Sequence, residues 1–170
     1  MFTADQERYM RMALDQASMA AEAGEVPIGA VVVCRDRVIA RAHNLTERLR
    51  DVTAHAEMQV ITAAMDSIGG KYLDECTLYV TVEPCPMCAS ALNWAQIGAL
   101  IFGTEDPKRG YLYWERLNEK ERSQEASCEV EPRGQVYQKN GMLHPKTKVQ
   151  FGLLAEECRQ VMQDFFKTKR

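Results

Sequence analysis

The sequence predicts an α/β layered domain. Two observations carry that prediction. Segments with helical spacing of apolar residues alternate with short apolar runs. A length of 170 residues suits one domain that buries a core without disulfides. Residues 5–23 place Met10, Ala13, Leu14, Ala17, Ala20 and Ala21 at helical spacing, and Gly24 ends that helix. Residues 28–33 (IGAVVV) and 37–42 (RVIARA) read as strands about an Arg35-Asp36 hairpin turn. Residues 56–66 read as a helix closed by Gly69-Gly70, and 76–82 (CTLYVTV) as a β-rich strand. Pro86 suits the first turn of a helix running to about Gln96, and 99–103 (ALIFG) is another strand. Residues 104–147 are polar, with a helix around 112–125. Pro132, Gly134, Gly141 and Pro145 then break any pattern, so this stretch is an inserted excursion or a loop. Residues 153–168 close the chain as an amphipathic helix.

Composition narrows the class. Hydrophobic residues make up 46% and charged residues 26%, ordinary values for a soluble globular protein. No apolar run approaches the roughly 20 residues of a membrane span. The N-terminus, MFTADQERYM, is acidic and lacks the apolar core of a secretory signal, so a cytoplasmic protein is expected. A net charge of −3 does not announce a nucleic-acid binder, although a local basic patch is compatible with it. The tail from Phe165 to Arg170 is basic and aromatic. Of the cysteines at 34, 76, 85, 88, 128 and 158, only Cys85 and Cys88 form a CxxC pair. The other four are expected to be packing residues.

The chemistry lies in two segments, Thr53-Ala54-His55-Ala56-Glu57 and Glu83-Pro84-Cys85-Pro86-Met87-Cys88. They match the H-x-E and P-C-x-x-C signature of zinc nucleobase deaminases. Two cysteines three apart at a helix start project from one face, and the positive helix end favours their thiolates. With His55 they make three zinc ligands and leave a fourth tetrahedral position open, the catalytic rather than the structural arrangement. Glu57 is not needed as a ligand. It is free to take a proton from the attacking water and return protons to the ring nitrogen and the leaving ammonia. The alternative is a structural zinc site, for which His43 or Cys76 would be the fourth ligand. Glu83, before Pro84, reads as either a buried supporting carboxylate or an ordinary strand end.

Further segments resemble the tRNA-specific adenosine deaminase branch of the cytidine deaminase superfamily. They are Glu25-Val26-Pro27-Ile28-Gly29-Ala30, His43-Asn44, Asp51 to Glu57, Thr77 to Cys85, Phe102-Gly103, Glu157-Cys158 and Phe165-Phe166-Lys167. The likeness covers about residues 5–110 and 147–170. It implies a three-layer α/β/α sandwich with a central five-stranded mixed sheet, one zinc ion per chain and a homodimer. It also implies deamination of adenosine to inosine at the wobble position of a tRNA anticodon loop. By motif match, Asn44 would hydrogen-bond the base, Val26 would line its pocket, the Ala54 backbone would help fix the ring, and Asp106 would lie near the nucleotide backbone. The whole of 1–170 is then one deaminase domain with an extended segment at 111–146.

Some features differ from that branch. Val52 stands where the family commonly has proline. Pro86 and Asn93-Trp94-Ala95 are similar to free-base guanine and cytosine deaminases, so a free nucleobase or nucleotide is the alternative substrate. The extended segment carries Tyr111, Tyr113, Trp114, Arg116 and Arg122, which read either as RNA-stacking groups or as a capping helix with a charged face. A third reading is a non-catalytic zinc module that binds RNA. The Lys and Arg residues at 108, 109, 167, 169 and 170 are expected to gather beside the pocket if RNA is the substrate.

Overall fold

A computed structural model of the chain describes residues 1–122, 135–136 and 141–169. The expectations placed on Cys128, Pro132, Gly134, Arg170 and the side chain of Arg122 lie outside what is described. The elements run α1 (Ala4–Glu22), β1 (Gly29–Cys34), β2 (Arg37–His43), α2 (Thr46–Leu49), α3 (Ala56–Ile68), β3 (Cys76–Val82), α4 (Pro86–Trp94), β4 (Ala99–Thr104), α5 (Tyr111–Arg122), β5 (Gln135–Val136), β6 (Lys148–Phe151) and α6 (Ala155–Thr168).

Local chemistry explains the boundaries. Thr3 and Gln6 form a reciprocal capping box at the start of α1. Arg35 and Asp36 both take positive φ, 48° and 59°, as a tight turn matched to strand twist requires. Gly69 takes the left-handed conformation that stops α3.

The sheet order is β2-β1-β3-β4-β6-β5. β1 runs antiparallel to both β2 and β3, and β3, β4 and β6 are mutually parallel. The expected five mixed strands are therefore present, and the two-residue β5 adds an antiparallel edge to β6. Side-chain alternation divides the core into two layers. Val31, Val33, Tyr79 and Ile101 meet Tyr9, Met10 and Ala13 of α1 and Cys158 of α6. Ala30, Val32, Leu78, Val80, Leu100 and Phe102 belong to the second cluster, with Val60, Ile61 and Ala64 of α3 and Ala89 and Leu92 of α4. The result is the expected three-layer sandwich.

Sequence pattern does not reveal α2, β5 or β6. In β6 only Val149 is buried, and four residues are too few for a periodic signal. Its neighbour β4 makes it a strand.

This topology decides where a site can form. Because β1 opposes β3, the start of β1, the end of β2 and the ends of β3 and β4 share one edge of the sheet. α3 follows β2 and α4 follows β3, so both helices begin at that edge with their positive ends.

Candidate active site

His55 is the residue that caps the start of α3, and Cys85 holds the same place on α4, with Pro86 in the first helical position. Cys88 lies one turn further on and is fully buried. His55 Nδ1 is 3.6 Å from Cys85 Sγ and 3.5 Å from Cys88 Sγ. A tetrahedral zinc with bonds of about 2.3 Å to sulfur and 2.0–2.1 Å to nitrogen separates N from S by roughly 3.6 Å. Both nitrogen–sulfur separations thus match edges of such a tetrahedron, and all three donor atoms lie within 4.8 Å of one another. Among the described residues, the metal-capable group contains these three and no fourth. His43 instead pairs through Nδ1 with Gln16, 3.2 Å away. Cys76 sits opposite Cys34 at the far end of β3.

The cluster's electrostatics follow from this crowding. Hydrogen bonding from Cys88 and His55 pulls the Cys85 thiol down to about 4 against the opposing effect of burial. Hydrogen bonding to Cys85 and burial push Cys88 up, and His55 is raised by its bond to Cys85.

Glu57 lies in the first turn of α3, 3% exposed. Burial raises its carboxyl to about 7. Its Oε2 is buried with no hydrogen-bond partner. Buried polar atoms are normally satisfied. A carboxyl so placed, beside three metal-capable donors, can exchange a proton.

The remaining candidate residues ring the same edge. Asn44 is buried, and its neighbour Leu45 donates its N–H to Ala54 O at 2.9 Å. The base-contact candidate is thereby tied to the residue preceding His55. The N–H of Ala54 donates to Asp51 O at 3.1 Å, so both its backbone groups are engaged within the loop. Val26 is half-buried. Val52, in the place of the family's proline, is 83% exposed. Asp106 uses its carboxylate on its own loop, accepting from the N–H groups of Lys108 and Arg109, both at 3.0 Å.

Two carboxylates take clearer roles than the sequence allows. Glu83 proves to be the buried support, accepting from Asp106 N at 2.9 Å and Leu112 N at 2.8 Å. It binds the loop carrying Asp106 to the strand that delivers Cys85. Gly110 is required for this approach, since a Cβ there would overlap the Glu83 carboxyl group. Gly110→Ala is therefore expected to cost about 1–3 kcal/mol, read as a lower Tm by circular dichroism; an unchanged Tm would remove the constraint. Glu25 has no functional signal of its own in the sequence. It is wholly buried and accepts four hydrogen bonds, including one from Asn44. Burial works to raise its pKa, but these bonds outweigh it and hold the carboxyl below its ordinary value. A four-acceptor role leaves no periodic trace in a sequence.

The aromatic residues divide. Tyr111 is fully buried, whereas Tyr113 and Trp114 are exposed. Phe165 is buried and Phe166 exposed, in edge-on contact. Lys169 Nζ donates to Gly24 O at 3.3 Å, beside the segment carrying Glu25 and Val26, and Lys108 and Arg109 are exposed on the loop braced by Glu83. Cys76 and Cys158 are buried in the core, as expected of packing residues, and Cys34 is half-buried.

A sequence model of the MafB19-like deaminase family matches residues 4–170. The chain is 38% identical over 167 residues to the tRNA-specific adenosine deaminase of Agrobacterium fabrum, covering 98% of this chain and 97% of that protein. The chain belongs to the tRNA-specific adenosine deaminase family. This deaminase is also 41% identical to the chloroplastic tRNA(adenine(34)) deaminase of Arabidopsis thaliana over 96% of its own length, and spans only 12% of that longer protein. A solved tRNA:A34 deaminase, described in work on A-to-I editing at the wobble position, is 50% identical. It has a TM-score of 0.62 and covers 64% of this chain and 84% of its own. The guanine deaminase of Nitrosomonas europaea shares the fold at 21% identity and a TM-score of 0.70, over 94% of this chain and 83% of its own.

Proposed function

We propose that this deaminase converts adenosine to inosine at the wobble position of a tRNA anticodon, consuming water and releasing ammonia. The observation that carries the reading is the orphaned Glu57 carboxylate oxygen next to a His55, Cys85 and Cys88 donor set whose nitrogen–sulfur separations match tetrahedral zinc. Those three side chains would hold one zinc ion. When bound, zinc supplies Lewis acidity toward the attacking water.

The rest of the chemistry belongs to the chain. Glu57 takes one proton from the attacking water and passes it to the ring nitrogen, then takes the second from the new hydroxyl on carbon and passes it to the amine, which leaves as ammonia when the C–N bond breaks. Its burial keeps its proton affinity near neutrality, where exchange in both directions is cheapest. Asn44 and Val26 orient the base. Asp106 lies close to the nucleotide backbone through the loop it caps. An anticodon loop presents its bases already unpaired, so extruding adenine is inexpensive.

Residues 1–170 act as one catalytic domain, the active form is a homodimer, and the compartment is the cytoplasm. The family resemblance supports the dimer. Among the described residues no helix is long and apolar enough to cross a membrane. The test is to incubate zinc-loaded protein with a total tRNA pool and sequence for inosine. Inosine at anticodon position 34 is the expected result; ammonia from free guanine with no inosine in any tRNA would overturn the reading.

A further inference from the structure

We infer that Glu25 is a positioning residue that sets the orientation of the Asn44 amide and thereby the hydrogen-bond polarity the pocket offers a base. The inference rests on the proposed reading of this pocket as the place where the base sits. Glu25 Oε2 accepts from Asn44 Nδ2 at 3.1 Å, Thr46 Oγ1 at 3.3 Å and Glu47 N at 3.1 Å, and Oε1 accepts from Arg48 N at 2.8 Å. Asn44 Nδ2 also donates to Thr46 Oγ1 at 2.9 Å.

An ionised carboxylate can only accept. The nitrogen end of the Asn44 amide must therefore face Glu25. Turned over, its oxygen would meet Oε2 with no hydrogen between them. An asparagine in a pocket normally has two orientations of similar energy; here a buried charge removes one of them. The same carboxylate grips the backbone N–H groups of Glu47 and Arg48, so the segment that follows Asn44 is braced as well. Leu45 links that segment to Ala54, next to His55, through a 2.9 Å hydrogen bond. Base contact and metal ligand are thus held in one frame.

The degree of burial argues for more than a loop brace. A turn can be capped by a neutral side chain at little cost. An ion at 0% exposure must recover its lost hydration through its partners. Here one of those partners is the candidate base contact, and preorganising such a group before the ligand arrives lowers the cost of binding.

The test is a double-mutant cycle on zinc-loaded protein with an anticodon stem-loop, using Glu25→Gln and Asn44→Ala. The glutamine side chain keeps the volume but removes the charge, and whichever way its NH2 group turns it meets a donor, Arg48 N on one side or Asn44, Thr46 and Glu47 on the other, so the frame that fixes Asn44 loosens. Glu25→Gln is expected to raise KM about tenfold or more, with kcat and zinc content close to wild type. Asn44→Ala should do the same, and the double variant should be no worse than either single one, since both remove one interaction. Should Glu25→Gln not fold, Glu25→Asp keeps the charge but withdraws it, and the same rise in KM is expected. Effects that multiply in the double variant, or a loss confined to kcat or zinc, would overturn the inference while leaving the proposed function standing. A wild-type protein inert on every stem-loop would instead sink the proposed function and this inference with it.

Discussion

Glu57→Gln is expected to keep a full complement of zinc and to lose turnover by about 10²–10⁴-fold. The substitution preserves volume and removes only the capacity to exchange a proton. Glu57 is outside the metal-capable triad, so metal analysis should return one zinc per chain in variant and wild type alike. Stability supplies a second, independent readout. Burying a carboxyl with one oxygen unpartnered is unfavourable to folding. An active site commonly carries such strain, and relieving it stabilises the fold at the expense of activity. Glu57→Gln should therefore melt at the same temperature as wild type or above it. A variant that loses metal together with activity would show Glu57 to be a ligand. One that keeps near-normal kcat would place the proton carrier elsewhere.

Cys88→Ala is expected to empty the metal site and lower stability together. Its sulfur is one of three donors, and its side chain is fully buried at the α4 turn. Any ligand that binds only the folded state stabilises it, by roughly 4 kcal/mol when free ligand exceeds Kd a thousandfold. For a domain of this size that corresponds to a fall in Tm of roughly 10 °C. Adding a strong chelator to wild type should reproduce most of that fall, whereas Cys88→Ala should no longer respond to the chelator. A Cys88→Ala protein that retains stoichiometric zinc would contradict the ligand assignment. The contrast between the two variants is the sharpest available: one keeps the metal without the chemistry, the other loses both.

The strongly patterned elements are legible in the sequence. α1, β1, β2, α3, β3, α4, β4 and α6 all fall close to the boundaries read from apolar spacing, Gly24, Gly69 and Pro86. The four-residue α2 and β6 are not, because their state depends on what they lie against. Glu83 shows the same limit in a side chain. Its position before Pro84 suggests a buried support, but only the folded chain brings Asp106 and Leu112 to its two oxygens.

On its own, the sequence pointed to the chemistry through a match to a known signature, the H-x-E and P-C-x-x-C segments taken together, with residue types and spacing consistent with it. Tertiary structure alone decided that these two segments, thirty residues apart, meet at 3.5–3.6 Å, and that Glu25 lies beneath Asn44. The physical reason is that periodicity records which face of an element avoids water. The meeting of two helix ends is set instead by strand order, and a buried polar contact is set by which partners that order brings within reach.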